Sequence, residues 1–178
     1  MLWMRAACRF ARVVCLALAS LSIAMVVTAD ASSTWRRHVD NRLGLSVDLP
    51  AKGFVAADPA PGNEGIRLVA SDGSGEISVY SVPLSSMSFS AFRRQLIEGA
   101  RDYGARITYT AGGDNWFVFS GLWKDQIVYY KVLLKQVCGT PTAHQFHLRY
   151  PRNQKRSYDP VIARMDDTLR SSPQPVCR

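Results

Sequence analysis

Few residues of this chain have types and spacings suited to catalysis or metal binding. His144 and His147 form an H-x-x-H pair. In a strand, side chains three residues apart point to opposite faces, so the two imidazoles are not expected to share a metal ion. Asp72 and Glu76 flank a glycine-rich turn, but two carboxylates are far fewer than the roughly six to eight oxygens that calcium takes. We therefore expect a turn here, and no catalytic residue, cofactor site or metal site is predicted anywhere in the chain.

The cysteines predict a covalent link rather than a reactive thiol. Cys138 and Cys177 are the two that follow the N-terminal segment. In an exported chain an even number of cysteines favours a disulfide over a zinc site, which needs about four ligands. A bond between them would close a loop of about 40 residues and tie the C-terminal tail to the sheet. The alternative, two unpaired thiols, stays open at this point.

A basic cluster indicates a binding surface. If the strands around a turn at Cys138–Pro141 pair as a simple hairpin, with paired residue numbers adding to about 280, Lys131 lies opposite Arg149. One sheet face then presents Lys131, Lys135, His147 and Arg149. Like charges placed opposite each other are unfavourable unless an anion intervenes. This face is a candidate for binding an acidic protein, a carboxylate ligand or anionic lipid headgroups, and the alternative is an ordinary solvated face.

The elements that position these residues follow from hydrophobic spacing. Period-two alternation predicts strands over 45–49, 66–70, 76–82, 105–110, 115–122, 126–137 and 142–150, with an extra edge strand near Trp35. A first helix is predicted from Ser88 or Ser90 to Gly104, and a last helix opens at Asp159. Residues 58–65 are predicted to form an exposed loop. The fold class is α+β, a mostly antiparallel sheet of about six to seven strands between two main helices.

The N-terminal segment has the layout of a secretory signal. Arg5, Arg9 and Arg12 precede an uncharged apolar stretch over 13–27, and small residues then favour cleavage after Ala29 or Ala31. We expect a signal peptide over 1–31 and one globular domain over 32–178. An uncleaved inner-membrane anchor is the alternative, although the 15-residue apolar stretch is shorter than the roughly 20 residues that a membrane-spanning helix needs.

Composition restricts the partner. The chain has 178 residues, 47% hydrophobic and 20% charged, with a net charge of +8; this excludes a long disordered tail. Loss of residues 1–31 removes three arginines and one aspartate and leaves a net charge of +6. Because no strand face interleaves aromatic and basic residues, nucleic acid is not expected as a partner. An anionic envelope component or a protein is expected, in a periplasmic or secreted location without a stable membrane span.

Three ordered motifs resemble those of a known family. They are Asn41–Pro50, Asn115–Gly121, and Tyr150–Pro151 followed by Lys155 and Tyr158–Pro160. In this order they resemble a family of small exported bacterial proteins of unknown function with a PsbP/Mog-like fold. The resemblance implies an α/β/α sandwich used in better-known relatives as a non-catalytic accessory, one for photosystem II and another for the Ran GTPase. We accordingly expect a non-catalytic binding domain, the alternative being an uncharacterised periplasmic enzyme.

Overall fold

The computed structural model describes residues 34–59 and 65–177, and the predicted signal peptide lies outside the described residues. Its strands are β1 (Trp35–Asp40), β2 (Leu45–Pro50), β3 (Phe54–Ala57), β4 (Gly65–Ala70), β5 (Glu76–Pro83), β6 (Arg106–Gly112), β7 (Trp116–Trp123), β8 (Gln126–Val137), β9 (Thr140–Pro151) and β10 (Arg170–Ser171). Its helices are α1 (Phe89–Asp102) and α2 (Lys155–Thr168), the latter entered through a 3₁₀ turn at Arg152–Gln154. Within the described ranges, neither helix has the length and hydrophobicity to span a membrane.

A seven-stranded antiparallel sheet dominates the structure, in the order β3-β4-β5-β9-β8-β7-β6. Helix α1 packs against one face, called here the α1 face, through a core centred on Phe117, Phe119 and Val132. Helix α2 and strand β2 pack against the opposite face, the α2 face, through a core that includes Phe146 and Met165. The predicted α+β class with helices on both sides of an antiparallel sheet is thereby confirmed.

A second, three-stranded sheet was not predicted. It has the order β1-β2-β10, and all six residues of β2 are buried, including Ser46 and Asp48. The alternation of Leu45, Val47 and Leu49 with Ser46 and Asp48, which predicted this strand, therefore does not separate a buried face from an exposed one. The carboxylate of Asp48 is compensated by Arg37 Nε at 2.5 Å and Arg164 Nη2 at 2.6 Å, which joins β1 and α2 to the middle strand.

The two helices differ in how well their starts were predicted. Ser88 caps α1 by accepting a hydrogen bond from the Ala91 amide at 3.2 Å, as predicted, and Gly104 follows the helix at φ 89°. Helix α2 begins at Lys155 rather than at Asp159. Asp159 does not cap it but pairs with Lys155 Nζ at 2.8 Å, one turn away. Pro160 lies within the helix, where it removes one backbone hydrogen bond.

The turn between β8 and β9 is tighter than predicted. It consists of Cys138 and Gly139, with φ angles of 51° and 81°, the geometry of a two-residue type I′ turn whose twist matches that of the flanking strands. Thr140 and Pro141, predicted as turn residues, instead begin β9. Pro141 is tolerated there because pairing with β5 extends only to Thr142. The hairpin register is consequently offset from the predicted one by three residues.

The C-terminal segment is held against the β1–β2 turn. Cys138 and Cys177 form the predicted disulfide, with their Cα atoms 5.4 Å apart. The Ser172 amide donates to the Gly44 carbonyl at 2.7 Å, and the Val176 amide donates to the Asn41 carbonyl at 2.8 Å. The disulfide and these backbone bonds fix the tail at both of its ends.

Candidate functional site

The register correction separates the four basic residues that were predicted to share one face. Lys131 pairs with Phe146 and lies on the α2 face, whereas Arg149 pairs with Val128 on the α1 face. A shift by an odd number of residues moves every side chain of one strand to the other face. Lys135 therefore accompanies Lys131, and His147 accompanies Arg149. The predicted basic surface of Lys131, Lys135, His147 and Arg149 does not exist as one patch.

On the α2 face, Lys131 is occupied by structural contacts and Lys135 is exposed. Lys131 Nζ lies 2.7 Å from a carboxylate oxygen of Asp166 in α2 and 4.6 Å from the centre of the Trp116 ring. Lys135 lies near His144, whose pKa is lowered to about 4 by burial and by that neighbouring charge. The ion pair with Asp166 connects the sheet to α2 and compensates the charge of Lys131.

On the α1 face, His147 and Arg149 converge with two residues that the sequence analysis did not assign to a site. Glu76 Oε2 lies 2.9 Å from Arg67 Nη2 and 3.3 Å from Arg149 Nη2. His147 Nε2 lies 3.9 Å from the other oxygen of Glu76. The sheet register causes this convergence, because Glu76 pairs with Arg149 and Ser78 pairs with both His147 and Arg67. We call Arg67, Glu76, His147 and Arg149 the junction.

The junction keeps its carboxylate ionised. Contacts with His147, Arg67 and Arg149 lower the pKa of Glu76 to about 2, although partial burial alone would raise it. Two guanidinium groups facing one carboxylate leave a positive charge in excess even when His147 is neutral. The junction is therefore suited to attract an anion.

Aromatic rings hold His147 in place. Its ring stacks on Tyr130 at 4.9 Å between centroids, and Tyr130 in turn stacks on Phe119 at 4.6 Å. The Tyr80 ring meets His147 edge-on at 6.1 Å, and burial raises the pKa of both tyrosines. The Nδ1 atom of His147 is buried without a hydrogen-bond partner in the described structure. The imidazole is thus fixed in orientation with one polar atom unused.

Arg149 also contacts an aromatic wall. Its guanidinium lies 5.1 Å from the centre of the Trp123 ring, a cation–π distance. Trp123 Nε1 donates a hydrogen bond to the Tyr103 carbonyl at the end of α1, at 2.9 Å. Tyr103 itself is 85% exposed. The C-terminal end of α1 and the end of β7 are therefore joined beside the junction.

A groove with two lobes, both open to solvent, passes over the junction. The apolar lobe, about 420 Å³, lies between α1 and the sheet and is lined by Leu96, Gly99, Ala100, Trp123, Val128 and Tyr130 among others. The polar lobe, about 410 Å³, is lined by Asp58, Arg67, Ser78 and Tyr80 among others. Both lobes share Glu76, His147 and Arg149. We call the whole feature the α1-face groove.

Sequence reasoning missed half of the junction for a specific reason. Glu76 was predicted to begin a strand and was considered for binding only together with Asp72, which it flanks across the turn. Asp72 acts within that turn, where it accepts bonds from the Ser74 amide and hydroxyl at 2.9 and 2.6 Å. Glu76 begins β5 and alternates with Ser78 on the α1 face. The alternation was visible in the sequence, but its meeting with Arg149 depends on pairing between strands that are distant in the chain. Among residues 34–59 and 65–177, no group of three or more His, Cys, Asp or Glu residues is arranged to hold a metal ion.

Comparison with solved structures identifies the fold. PsbP (CyanoP) from Synechocystis sp. PCC 6803 superimposes with a TM-score of 0.61 at 11% sequence identity, covering 80% of this chain and 95% of that protein. The chain has a PsbP/Mog-like fold. The Ran-binding protein Mog1p of Saccharomyces cerevisiae matches with a TM-score of 0.52 at 12% identity, covering 79% of this chain and 96% of that one. LpqN, involved in cell envelope biogenesis of Mycobacterium tuberculosis, matches with a TM-score of 0.53 at 8% identity, covering 80% and 88%.

The fold predicted by the sequence motifs is thus confirmed. No protein-family model matches the chain, and a search of curated proteins gives no match. At identities of 8 to 12%, a PsbP/Mog-like fold does not determine a function. The function has to be argued from the α1-face groove.

Proposed function

We propose that the chain is an exported, non-catalytic domain that binds a partner of the cell envelope through the α1-face groove. The observation that supports this proposal most strongly is the junction, where Arg67 and Arg149 meet one carboxylate at the centre of an open groove. Arginine forks recognise carboxylate and phosphate groups by paired hydrogen bonds. An aromatic wall at Trp123 adds apolar contact area beside them.

The chemistry of the junction favours binding over catalysis. A general base works best when its pKa lies near the operating pH. The pKa of Glu76 is held at about 2 by His147, Arg67 and Arg149, so this carboxylate is a weak base at neutral pH. His147 faces that carboxylate at 3.9 Å, and its stacking on Tyr130 restricts its movement.

Export is supported by the disulfide and by one structural neighbour. A disulfide persists in oxidising compartments such as the periplasm, and the bond between Cys138 and Cys177 joins the two cysteines that follow the predicted leader. LpqN, which shares the fold, is involved in cell envelope biogenesis. We therefore propose that the domain acts in the periplasm or outside the cell after removal of its leader.

Substitution of Arg149 by Gln is expected to weaken partner capture strongly. The full chain with a C-terminal tag is expressed in the source cells, crosslinked and purified, and envelope components are quantified in the eluate. Arg149→Gln should reduce the captured partner by about tenfold or more, because a charge-assisted hydrogen bond contributes about 1.5 to 3 kcal/mol. Arg156→Gln is the matched control, since Arg156 is exposed on α2 and outside the groove. Equal capture by both variants would contradict the proposal.

A further inference from the structure

We infer that the α1-face groove binds an amphipathic monocarboxylate, a free acid of the fatty-acid class, with its carboxylate at Arg149 and its apolar chain in the apolar lobe. The inference rests on the proposed function and specifies the chemistry of the envelope component that the groove would take.

The charges at the junction define the head of this ligand. Arg67 and Arg149 both contact the same oxygen of Glu76, so the remaining guanidinium N–H groups are available to a second anion. The Arg149 side chain is 37% exposed and that of Arg67 is 35% exposed. Two cations against one anion fit a ligand with a single negative charge. Among the residues that the structure describes, Asp58 lines the polar lobe and Lys124 lies 4.7 Å from the centre of the Trp123 ring. These two add one charge of each sign and leave that balance unchanged.

The neighbouring walls define the direction of the tail. Leu96 and Ala100 of α1 face Val128 and Trp123 across the apolar lobe, and this lobe begins at Arg149. The lobe also adjoins the C-terminal end of α1, where carbonyl groups give a partial negative charge. An apolar chain is favoured at that end and a carboxylate is not. The carboxylate of the ligand therefore lies at the arginines, and its apolar tail lies beneath α1.

The size of the lobe fits a medium-length chain. At about 420 Å³, its volume lies in the range of small-molecule sites. Gly99 contributes to this space, since a Cβ atom built at that position would meet no atom within 4 Å. A side chain introduced at Gly99, which lines the lobe, therefore has open space at its Cβ atom. This gives a variant that blocks the tail site while the junction stays intact.

The test is calorimetric titration of the oxidised full-length chain at pH 7.5 with octanoate, with 1-octanol and with a free-acid peptide ending in Leu-Phe. Octanoate should bind at least about tenfold more tightly than 1-octanol, because only the acid pairs with Arg149. Arg149→Gln should remove the preference for octanoate over 1-octanol. Gly99→Trp should lower the affinity for octanoate by about tenfold or more. Glu76→Gln should raise the affinity for octanoate several-fold, because it releases both arginines. A purely structural role of Glu76 would not produce this increase. Arg156→Gln should bind octanoate as the unmodified chain does.

Three results would overturn the inference. The first is equal binding of octanol and octanoate, and the second is no binding of octanoate. The third is binding of the free-acid peptide without binding of octanoate, which would assign the junction to a protein C terminus. If octanoate does not bind while capture of an envelope component still depends on Arg149, the proposed function stands and only the ligand class is wrong. Thermal unfolding of each variant confirms that the fold is retained.

Discussion

Loss of the Cys138–Cys177 bond is expected to lower the free energy of unfolding by about 4 kcal/mol, the largest stability effect that we predict. The two cysteines are 39 residues apart in sequence, so the bond removes a large amount of conformational freedom from the unfolded chain. Without it, only backbone bonds such as those of Ser172 and Val176 hold the tail. The measurement is chemical denaturation of the Cys138→Ser, Cys177→Ser double variant and of the unmodified chain under oxidising conditions.

A second double variant separates the cross-link from the turn. Cys138 has φ 51° and precedes Gly139, and Asn-Gly is the preferred pair for a type I′ turn. Cys138→Asn with Cys177→Ser should therefore be more stable than the double serine variant by up to about 1 kcal/mol, because Asn tolerates the left-handed backbone conformation better than Ser. Hydrogen exchange at Val176 should rise in both variants. Unchanged stability of the double serine variant would show that the bond does not constrain the chain.

Substitution of Glu76 by Gln is expected to lower the free energy of unfolding at neutral pH. In acid, the difference from the unmodified chain should disappear. A pKa lowered to about 2 from 4.5 corresponds to about 3 kcal/mol of stabilisation above pH 4.5. We reduce this to about 2 kcal/mol because Arg67 and Arg149 are partly exposed and screened by solvent. A carboxyl group whose pKa is lowered by folding stabilises the protein fully at a pH above its pKa in the unfolded chain. This stabilisation disappears as the pH falls through its pKa in the folded protein.

The pH profile distinguishes this effect from a packing defect. The difference in unfolding free energy between the unmodified chain and Glu76→Gln should shrink by more than about half between pH 7 and pH 3. Glu98→Gln is the control, because Glu98 is exposed on the solvent side of α1. A difference that stays constant over this range would mean that the loss arises from side-chain packing and not from the charge of Glu76.

Local patterns predicted those features whose causes are local. The stripe of apolar residues after Ser88 gave α1 and its cap, and alternation gave β8 with its observed ends. The predicted export and an even number of cysteines led to the prediction of the bond between Cys138 and Cys177, which the structure contains. The helix and the strand depend on residues that are close in sequence. The disulfide required only a choice between a bond and two unpaired thiols.

Features that depend on non-local geometry were predicted less well. Pro141 suggested a wide turn, but positive φ angles at Cys138 and Gly139 made a tight turn and displaced the register. Because a strand repeats every two residues, this displacement separated Lys131 from Arg149. Glu76 joined the site only through the pairing of β5 with β9, and no local signal indicates that pairing.

The most direct test of the account is site-specific photocrosslinking in the source cells. Tyr103→p-benzoylphenylalanine places the photoreactive group at the α1-face groove, because Tyr103 lines the apolar lobe and is 85% exposed. Tyr109→p-benzoylphenylalanine places it on β6 at a residue that is 54% exposed and lies outside the groove. We expect a defined adduct from position 103, reduced by Arg149→Gln, and none from position 109. An adduct from position 109 together with none from position 103 would contradict binding through the groove.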